Sequence, residues 1–119
     1  MTKFAIVAGE SSGDLLGSKI ITSIQDLCPD ATFEGIAGPR MAKVGCKQWF
    51  SSSELSVMGI FGVLKHLPRI LKVRRGLIQK ILTNPPDAFI GIDAPDFNLK
   101  LEEKLKHRGI KTIHVVSPS

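Results

Sequence analysis

The sequence predicts an α/β fold, a Rossmann-like parallel sheet with helices on both faces. Two observations predict it. Short, continuously apolar runs alternate with segments whose apolar residues recur at helical spacing. The apolar runs also lack the polar–apolar alternation of a sheet with one face in water. The 119 residues, 43% hydrophobic and 23% charged, suffice for one globular domain, which we place over residues 1–119.

The first half of the chain contains three predicted strands. Residues 3–8 form an apolar run that stops at a glycine, and residues 14–27 carry apolar side chains at helical spacing. A second strand is predicted over 31–37, a helical turn over 41–44, and a short third strand over 47–50.

The second half is predicted to hold three helices and two strands. Asn84-Pro85-Pro86 is a firm helix stop, and Pro68 and Pro95 each suit the first turn of a helix. The predicted elements, in order, are a helix over 58–64, a helix from Pro68 to the stop, a strand over 87–92, a helix from Pro95 to Gly109, and a strand over 110–116.

Two turns with polar residues are predicted to share one edge of this sheet. Right-handed crossovers bring every strand-to-helix turn to the same edge, and open α/β sheets bind ligands there. The two polar turns are residues 9–14 and 93–96. They are therefore the candidate binding site.

The first turn, Gly9-Glu10-Ser11-Ser12-Gly13-Asp14, matches neither the dinucleotide fingerprint nor the Walker loop. Its glycines would let backbone amides approach a ligand. Glu10 and Asp14 add negative charge, which suits a sugar hydroxyl better than a phosphate. The alternative is structural: Ser12 or Gly13 caps the helix, and Asp14 complements its dipole.

The second turn follows the apolar strand directly, so the carboxylate of Asp93 is expected at the rim of the sheet. A carboxylate in that place can act as a general base towards an acceptor hydroxyl. The alternative is that Asp93 or Asp96 only caps the following helix, with Pro95 in its first turn. We expect Asp96 to support the helix and Asp93 to face the cleft.

The histidines and cysteines predict no further site. His66 and His114 lack spaced partners for a metal site or a catalytic triad, and His107 lies between Lys106 and Arg108, so structural or surface roles are expected for all three. Cys28 and Cys46 are too few for a disulfide scaffold and are expected to be reduced and structural.

The positive charge is concentrated in residues 55–86, which hold six of the 16 cations and none of the 11 acidic residues. The same segment is amphipathic, so it could bind an anionic membrane surface, or it could pack on the core with a solvated basic side. Nucleic acid is disfavoured because no aromatic residue alternates with the cations. No run of 18 apolar residues exists, and no export signal is apparent at the N-terminus.

Several strings, taken in order, resemble one family. They are AGESSGD at 8–14, GPRM at 38–41 with GC at 45–46, VMGI at 57–60, GIDAPDFNL at 91–99, and IKTIHVVSPS at 110–119. Across essentially the whole chain, this ordered set resembles the N-terminal part of the bacterial lipid-A-disaccharide synthase family.

The resemblance implies the N-terminal, acceptor-side half of a two-domain GT-B inverting glycosyltransferase. Such an enzyme transfers 2,3-diacylglucosamine from UDP to 2,3-diacylglucosamine 1-phosphate, forming the β-1,6-linked lipid A disaccharide and releasing UDP. It works without a metal or other cofactor, in the cytoplasm at the inner face of the inner membrane, and the full-length enzyme is expected to oligomerise. A generic nucleotide-binding α/β module and a non-catalytic membrane-binding module are the alternatives.

The resemblance also implies roles for individual residues. Asp93 matches the family position that we expect to act as the base for the acceptor 6-hydroxyl. The expected substrate-binding residues are Gly9, Glu10, Ser12, Gly13, Asp14 and Asp96. The expected membrane-facing residues are Met58, Phe61, Leu64, Lys65, Arg69 and Lys72.

Three departures from the family pattern stand out. Gly62 occupies a place where the family usually has Glu, and Val115 one where it often has Tyr. The family also runs to roughly three times this length. The segment is therefore expected to be a fragment that lacks the donor-binding domain and is inactive alone.

Overall fold

The computed structural model describes residues 2–52 and 63–116, with the backbone alone for 63–67. Within them the chain alternates strand and helix, as the sequence predicts. The elements are β1 (Lys3–Ala8), α1 (Ser11–Leu27), β2 (Thr32–Ala37), α2 (Pro39–Lys43), β3 (Lys47–Ser51), α3 (Val63–Thr83), β4 (Ala88–Ile92), α4 (Pro95–His107) and β5 (Lys111–Val115).

The strands form one parallel sheet in the order β3-β2-β1-β4-β5. After β1 the chain adds β2 and β3 on one side of that strand, and it then crosses back to add β4 and β5 on the other side. The strand order therefore reverses between β1 and β4, whose last residues Ala8 and Ile92 pair. This arrangement confirms the predicted Rossmann-like α/β fold.

Each face of the sheet is covered by a separate apolar core. On one face, Ile21 of α1 and Met41 of α2 are fully buried against strand residues that include Ile6 and Ile92. On the other face, Leu77 of α3 and Leu101 of α4 are fully buried against the opposite sides of the same strands. This two-sided burial explains why the buried parts of the central strands are continuously apolar.

The helices follow the periodicity of their apolar residues. In α3, Val73, Leu77 and Ile81 stand at i, i+4 and i+8 and are all buried.

Gly17 lets α1 approach α2 closely, because a Cβ atom there would lie 2.6 Å from the sulfur of Met41. Close contact between α1 and α2 therefore depends on this glycine.

Three predicted helix starts are wrong. Helix α1 begins at Ser11 rather than residue 14, because the amide of Asp14 already donates to the carbonyl of Glu10 at 2.8 Å. Helix α2 begins at Pro39 rather than residue 41. Pro68 lies inside α3 instead of starting it; the helix loses one backbone bond there, and its buried apolar stripe stabilises it nonetheless. The helix predicted over 58–64 falls mostly outside the described residues.

Candidate functional site

The two polar turns meet at the carboxyl edge of the two central strands. Gly9 and Glu10 connect β1 to α1, and Asp93 and Ala94 connect β4 to α4. Because Ala8 pairs with Ile92, the two turns leave the sheet side by side at the point where the strand order reverses. Ligands of open α/β sheets bind in the crevice at this point. The structure thus brings together the two turns that the sequence singled out.

The first turn presents exposed polar groups above a buried glycine. Glu10 is the N-cap of α1 in an extended conformation, and its side chain makes no capping bond. Glu10, Ser11 and Ser12 are exposed, whereas Gly13 is buried near Ala8 and Ile92. The alternative in which Ser12 or Gly13 caps the helix is wrong, since both lie inside it.

Asp14 does not bring its charge to the mouth of the crevice, contrary to the expectation. Its side chain is buried, with 3% of the residue exposed. One carboxylate oxygen accepts from the amides of Gly38 and Met41 at 3.1 and 2.9 Å, and the other accepts from the amide of Arg40 at 2.9 Å. We call this set of bonds the Asp14 clamp. It joins α1 to the first turn of α2, where the amides lack helical partners.

The second turn has an unusual backbone. Asp93 and Ala94 have φ values of 50° and 42°, so two successive residues with side chains adopt the left-handed region. The amide of Asp93 donates to the carbonyl of Val115 at 2.8 Å, which ties the turn to β5. Ala94 occupies the N-cap position of α4, which the sequence alternative gave to Asp93 or Asp96. Asp93 is half-buried, and Asp96 is exposed in the first helical turn, where its charge complements the dipole as expected.

Two polar residues beneath the second turn, Asn98 and Glu102, were missed by sequence reasoning. Asn98 is fully buried, and its Nδ2 donates to the carbonyls of Ile92 and Asp93. Glu102, 8% exposed, lies one helical turn further on, and its Oε2 is 2.7 Å from Nδ1 of His114. The available signals were the i, i+4 spacing of Asn98 and Glu102 beside the apolar stripe of α4, and a glycine within an apolar strand.

That glycine, Gly91, makes room for the polar residues of α4. A Cβ atom at this position would clash with Oε2 of Glu102 and lie 3.1 Å from Cγ of Asn98. His114 thus has a buried acidic partner, and its role in packing α4 against β5 agrees with the structural role expected for it. The departure at Val115 leaves the turn intact, because Asp93 contacts the backbone carbonyl of that residue.

The cysteines are free thiols, as predicted. Cys46 is buried under α2, and burial raises the pKa of its thiol to about 12, with Glu34 and Asp14 adding smaller electrostatic contributions. It is therefore neutral at physiological pH.

The expected membrane-facing residues are only partly described. Met58 and Phe61 lie outside the described residues, as does Gly62, and the side chains of Leu64 and Lys65 are not described. Arg69 and Lys72 are exposed on α3. Within the ranges 2–52 and 63–116 we found neither a helix able to cross a bilayer nor a group of metal-ligating side chains.

Comparison with known proteins agrees with the motifs. A family described as "Lipid-A-disaccharide synthetase" matches residues 4–119. The lipid-A-disaccharide synthase of Aeromonas hydrophila is 59% identical over 117 residues, 98% of this chain and 31% of the relative. Those of Pectobacterium carotovorum and Pseudoalteromonas translucida are 58% and 56% identical over 114 and 117 residues, 96% and 98% of this chain and 30% of each relative.

The chain thus spans about three tenths of the length of the curated relatives that it matches. The match nevertheless covers nearly all of its own residues, including both turns of the crevice. This chain belongs to the lipid-A-disaccharide synthase family.

Proposed function

We propose that this chain forms the acceptor side of a lipid-A-disaccharide synthase. In the proposed reaction the 6-hydroxyl oxygen of 2,3-diacylglucosamine 1-phosphate bonds to C1 of the sugar of UDP-2,3-diacylglucosamine. The bond between C1 and the diphosphate oxygen breaks, UDP leaves, and the hydroxyl proton passes to Asp93. The observation that carries the proposal is the position of Asp93, next to the first turn at the reversal of strand order.

The groups around the crevice suit this chemistry. The carboxylate of Asp93 can take a proton as the acceptor oxygen attacks. Glu10 and Ser12 are exposed acceptors for sugar hydroxyls, and Asp96 is exposed in the first turn of α4. Gly9 and Gly13 are buried beneath these polar groups. Asp14 acts on the substrate only indirectly, through the clamp that holds the neighbouring loop.

The donor half of the enzyme would come from residues outside this segment. A leaving diphosphate requires cationic groups or helix N-termini to stabilise it. The relatives are about three times as long as this chain, which leaves room for a second domain and for the predicted oligomer contacts. We therefore propose that the 119 residues alone do not transfer sugar.

The base assignment can be tested in a chimera. The 119 residues would replace the matching segment of the Aeromonas hydrophila synthase, to which they are 59% identical. We expect Asp93→Asn to lower kcat by about a hundredfold to ten-thousandfold, the range typical of a general base. Asp26→Asn, at an exposed position of α1, is the matched control and should stay within about twofold of the parent chimera. Turnover of Asp93→Asn within tenfold of the parent would remove the assignment.

We further propose that α3 faces an anionic membrane surface. Supporting this, Arg69 and Lys72 are exposed, and they line an open groove of about 840 Å³ together with Phe50 and Pro68. Apolar and cationic groups in one groove suit a lipid with an anionic headgroup. The acylated substrates would reach the crevice from the same surface.

Liposome flotation tests the membrane proposal. The chain should float with phosphatidylglycerol vesicles at low salt and be released at high salt. The double variant Arg69→Gln/Lys72→Gln should bind about thirtyfold more weakly, since each cation near such a surface contributes about 1 kcal/mol and two are removed. Lys19→Gln/Lys43→Gln, on the opposite face of the sheet, is the control. If the chain does not float even at low salt, the membrane proposal fails.

A further inference from the structure

We propose that Asn98 is a positioning residue for the transfer reaction: it holds the Asp93–Ala94 turn in its left-handed conformation and thereby directs the carboxylate of Asp93. This inference rests on the proposed function, because it gives Asn98 a role only through Asp93. It concerns a side chain that touches the backbone of the turn and not the reacting atoms.

The turn needs to be held. Asp93 and Ala94 both have positive φ, at 50° and 42°. Residues with a Cβ atom disfavour this region, and two in succession persist only where the surroundings over-determine them. A relaxed turn would swing the Asp93 side chain away from the direction in which it now leaves the sheet.

Asn98 supplies that restraint from the first turns of α4. Its Nδ2 donates to the carbonyl of Asp93 at 3.0 Å and to that of Ile92 at 3.3 Å. The amide of Asp93 donates to the carbonyl of Val115. Both peptide groups that flank the Cα atom of Asp93 are therefore tied down, which fixes the direction of its Cα–Cβ bond.

The bonds of the Asn98 side chain are made by its donor group and not by its acceptor oxygen. It is fully buried, and in the described part of the chain its Oδ1 has no hydrogen-bond partner. An unpartnered buried oxygen disfavours folding, so packing alone would favour an apolar residue of similar volume. Gly91 gives the amide its space, since a Cβ atom there would lie 3.2 Å from Cβ of Asn98. The amide is thus best explained by the two bonds of Nδ2.

The test uses the chimera and a variant that removes the donor but keeps the branched shape of the side chain. Asn98→Leu should lower kcat by about tenfold to a hundredfold, as expected for misplacement of a catalytic group. KM for both substrates should stay within about twofold. Adding Ala94→Gly should recover at least about fivefold of kcat, because glycine adopts positive φ without the steric penalty. A merely structural role of Asn98 would not give rescue at this neighbouring position.

Nuclear magnetic resonance of the 119-residue chain provides the second measurement. The ¹³Cβ shifts of Asp93 and Ala94, which depend on φ, should move towards values for negative φ in Asn98→Leu. The control is Glu103→Gln, an exposed position on the same helix, which should change neither kcat nor these shifts.

The outcomes separate this inference from the proposed function. If Asp93→Asn abolishes turnover but Asn98→Leu stays within twofold of the parent, the inference is overturned and the base assignment stands. Unchanged ¹³Cβ shifts in Asn98→Leu would also overturn it. If Asp93→Asn retains near-normal turnover, the proposed function fails and the catalytic part of the inference fails with it.

Discussion

The Asp14 clamp leads to a quantitative prediction about stability. Replacing Asp14 by Asn keeps the shape of the side chain but removes its charge and one of its two acceptor oxygens. The carboxylate currently accepts three backbone amides, at 3.1, 2.9 and 2.9 Å. An Asn oxygen in the place of Oδ1 can keep the bonds from Gly38 and Met41, whereas its NH₂ group would face the amide of Arg40.

The magnitude follows from these three bonds. A hydrogen bond to a charged group contributes about 1.5–3 kcal/mol and a neutral one about 0.5–1.5, so each retained bond weakens by about 1 kcal/mol. The third bond is replaced by two opposed donors, which costs at least about 1 kcal/mol, although water can reach exposed Arg40. The total is about 3 kcal/mol, a large part of the 5–15 kcal/mol typical of a domain.

Urea unfolding of the 119-residue chain, followed by circular dichroism, measures this loss. With an m value of about 1–3 kcal/mol/M, the midpoint of Asp14→Asn should fall by roughly 1–3 M. Asp26→Asn, exposed near the other end of α1, should stay within about 0.5 kcal/mol. If Asp14→Asn unfolds within 0.5 kcal/mol of the parent with the same m value, the clamp does not stabilise the fold, and the expected contact of Asp14 with substrate regains priority.

Three further predictions concern the buried positions Cys46 and Gly91. Burial raises the pKa of Cys46 to about 12, so its thiol should react with iodoacetamide at pH 8 about a thousandfold more slowly than an ordinary thiol. Mass spectrometry should find Cys46 labelled at an ordinary rate only after the chain is denatured. The unfolded thiol ionises near 8.5 and the folded one near 12, so the free energy of unfolding should fall above pH 8.5 by up to about 1.4 kcal/mol per pH unit. Cys46→Ala should remove this slope. An unchanged slope in that variant would contradict the assignment. Gly91→Ala should destabilise the chain by about 1–3 kcal/mol in urea, because its Cβ would press on Glu102 and Asn98. Gly13→Ala is the matched control, because a Cβ atom there would lie at an ordinary 3.4 Å from its nearest neighbours. This variant should be neutral or stabilising by up to about 1 kcal/mol. Equal losses of stability in both variants would contradict the steric argument.

The strands and their common edge could be predicted because their signals are local. The run from Lys3 to Ala8 ends at a glycine, and the structure places β1 at these bounds. The start of α1 could not be placed in the same way, because its N-cap, Glu10, makes no side-chain capping bond. Sequence rules look for Ser or Asp as the cap, and here the serines lie inside the first turn.

The role of Asp14 could not be predicted because its partners are distant in the chain. The three amides that it binds lie 24 to 27 residues further on and become neighbours only when α2 packs on α1. The role of Asn98 is harder still to predict from the sequence, since it depends on the positive φ angles of Asp93 and Ala94. Neither residue type predicts that conformation strongly, so only the folded backbone reveals why an amide is buried there.

Asp14 and Asn98 occupy equivalent positions, and this equivalence bears on catalysis. Each is the fourth residue of a helix that follows a central strand, and each is buried and bonded to the backbone of the crevice rim. Asp14 accepts from amides on the β2 side, and Asn98 donates to carbonyls on the β4 side. The rim is therefore held by the protein's own bonds before any ligand arrives, which is the condition for a preorganised site. Under the proposed function, a rim held in this way would favour the transition state over loosely bound substrate, so damage to either residue should appear mainly in kcat and only weakly in KM.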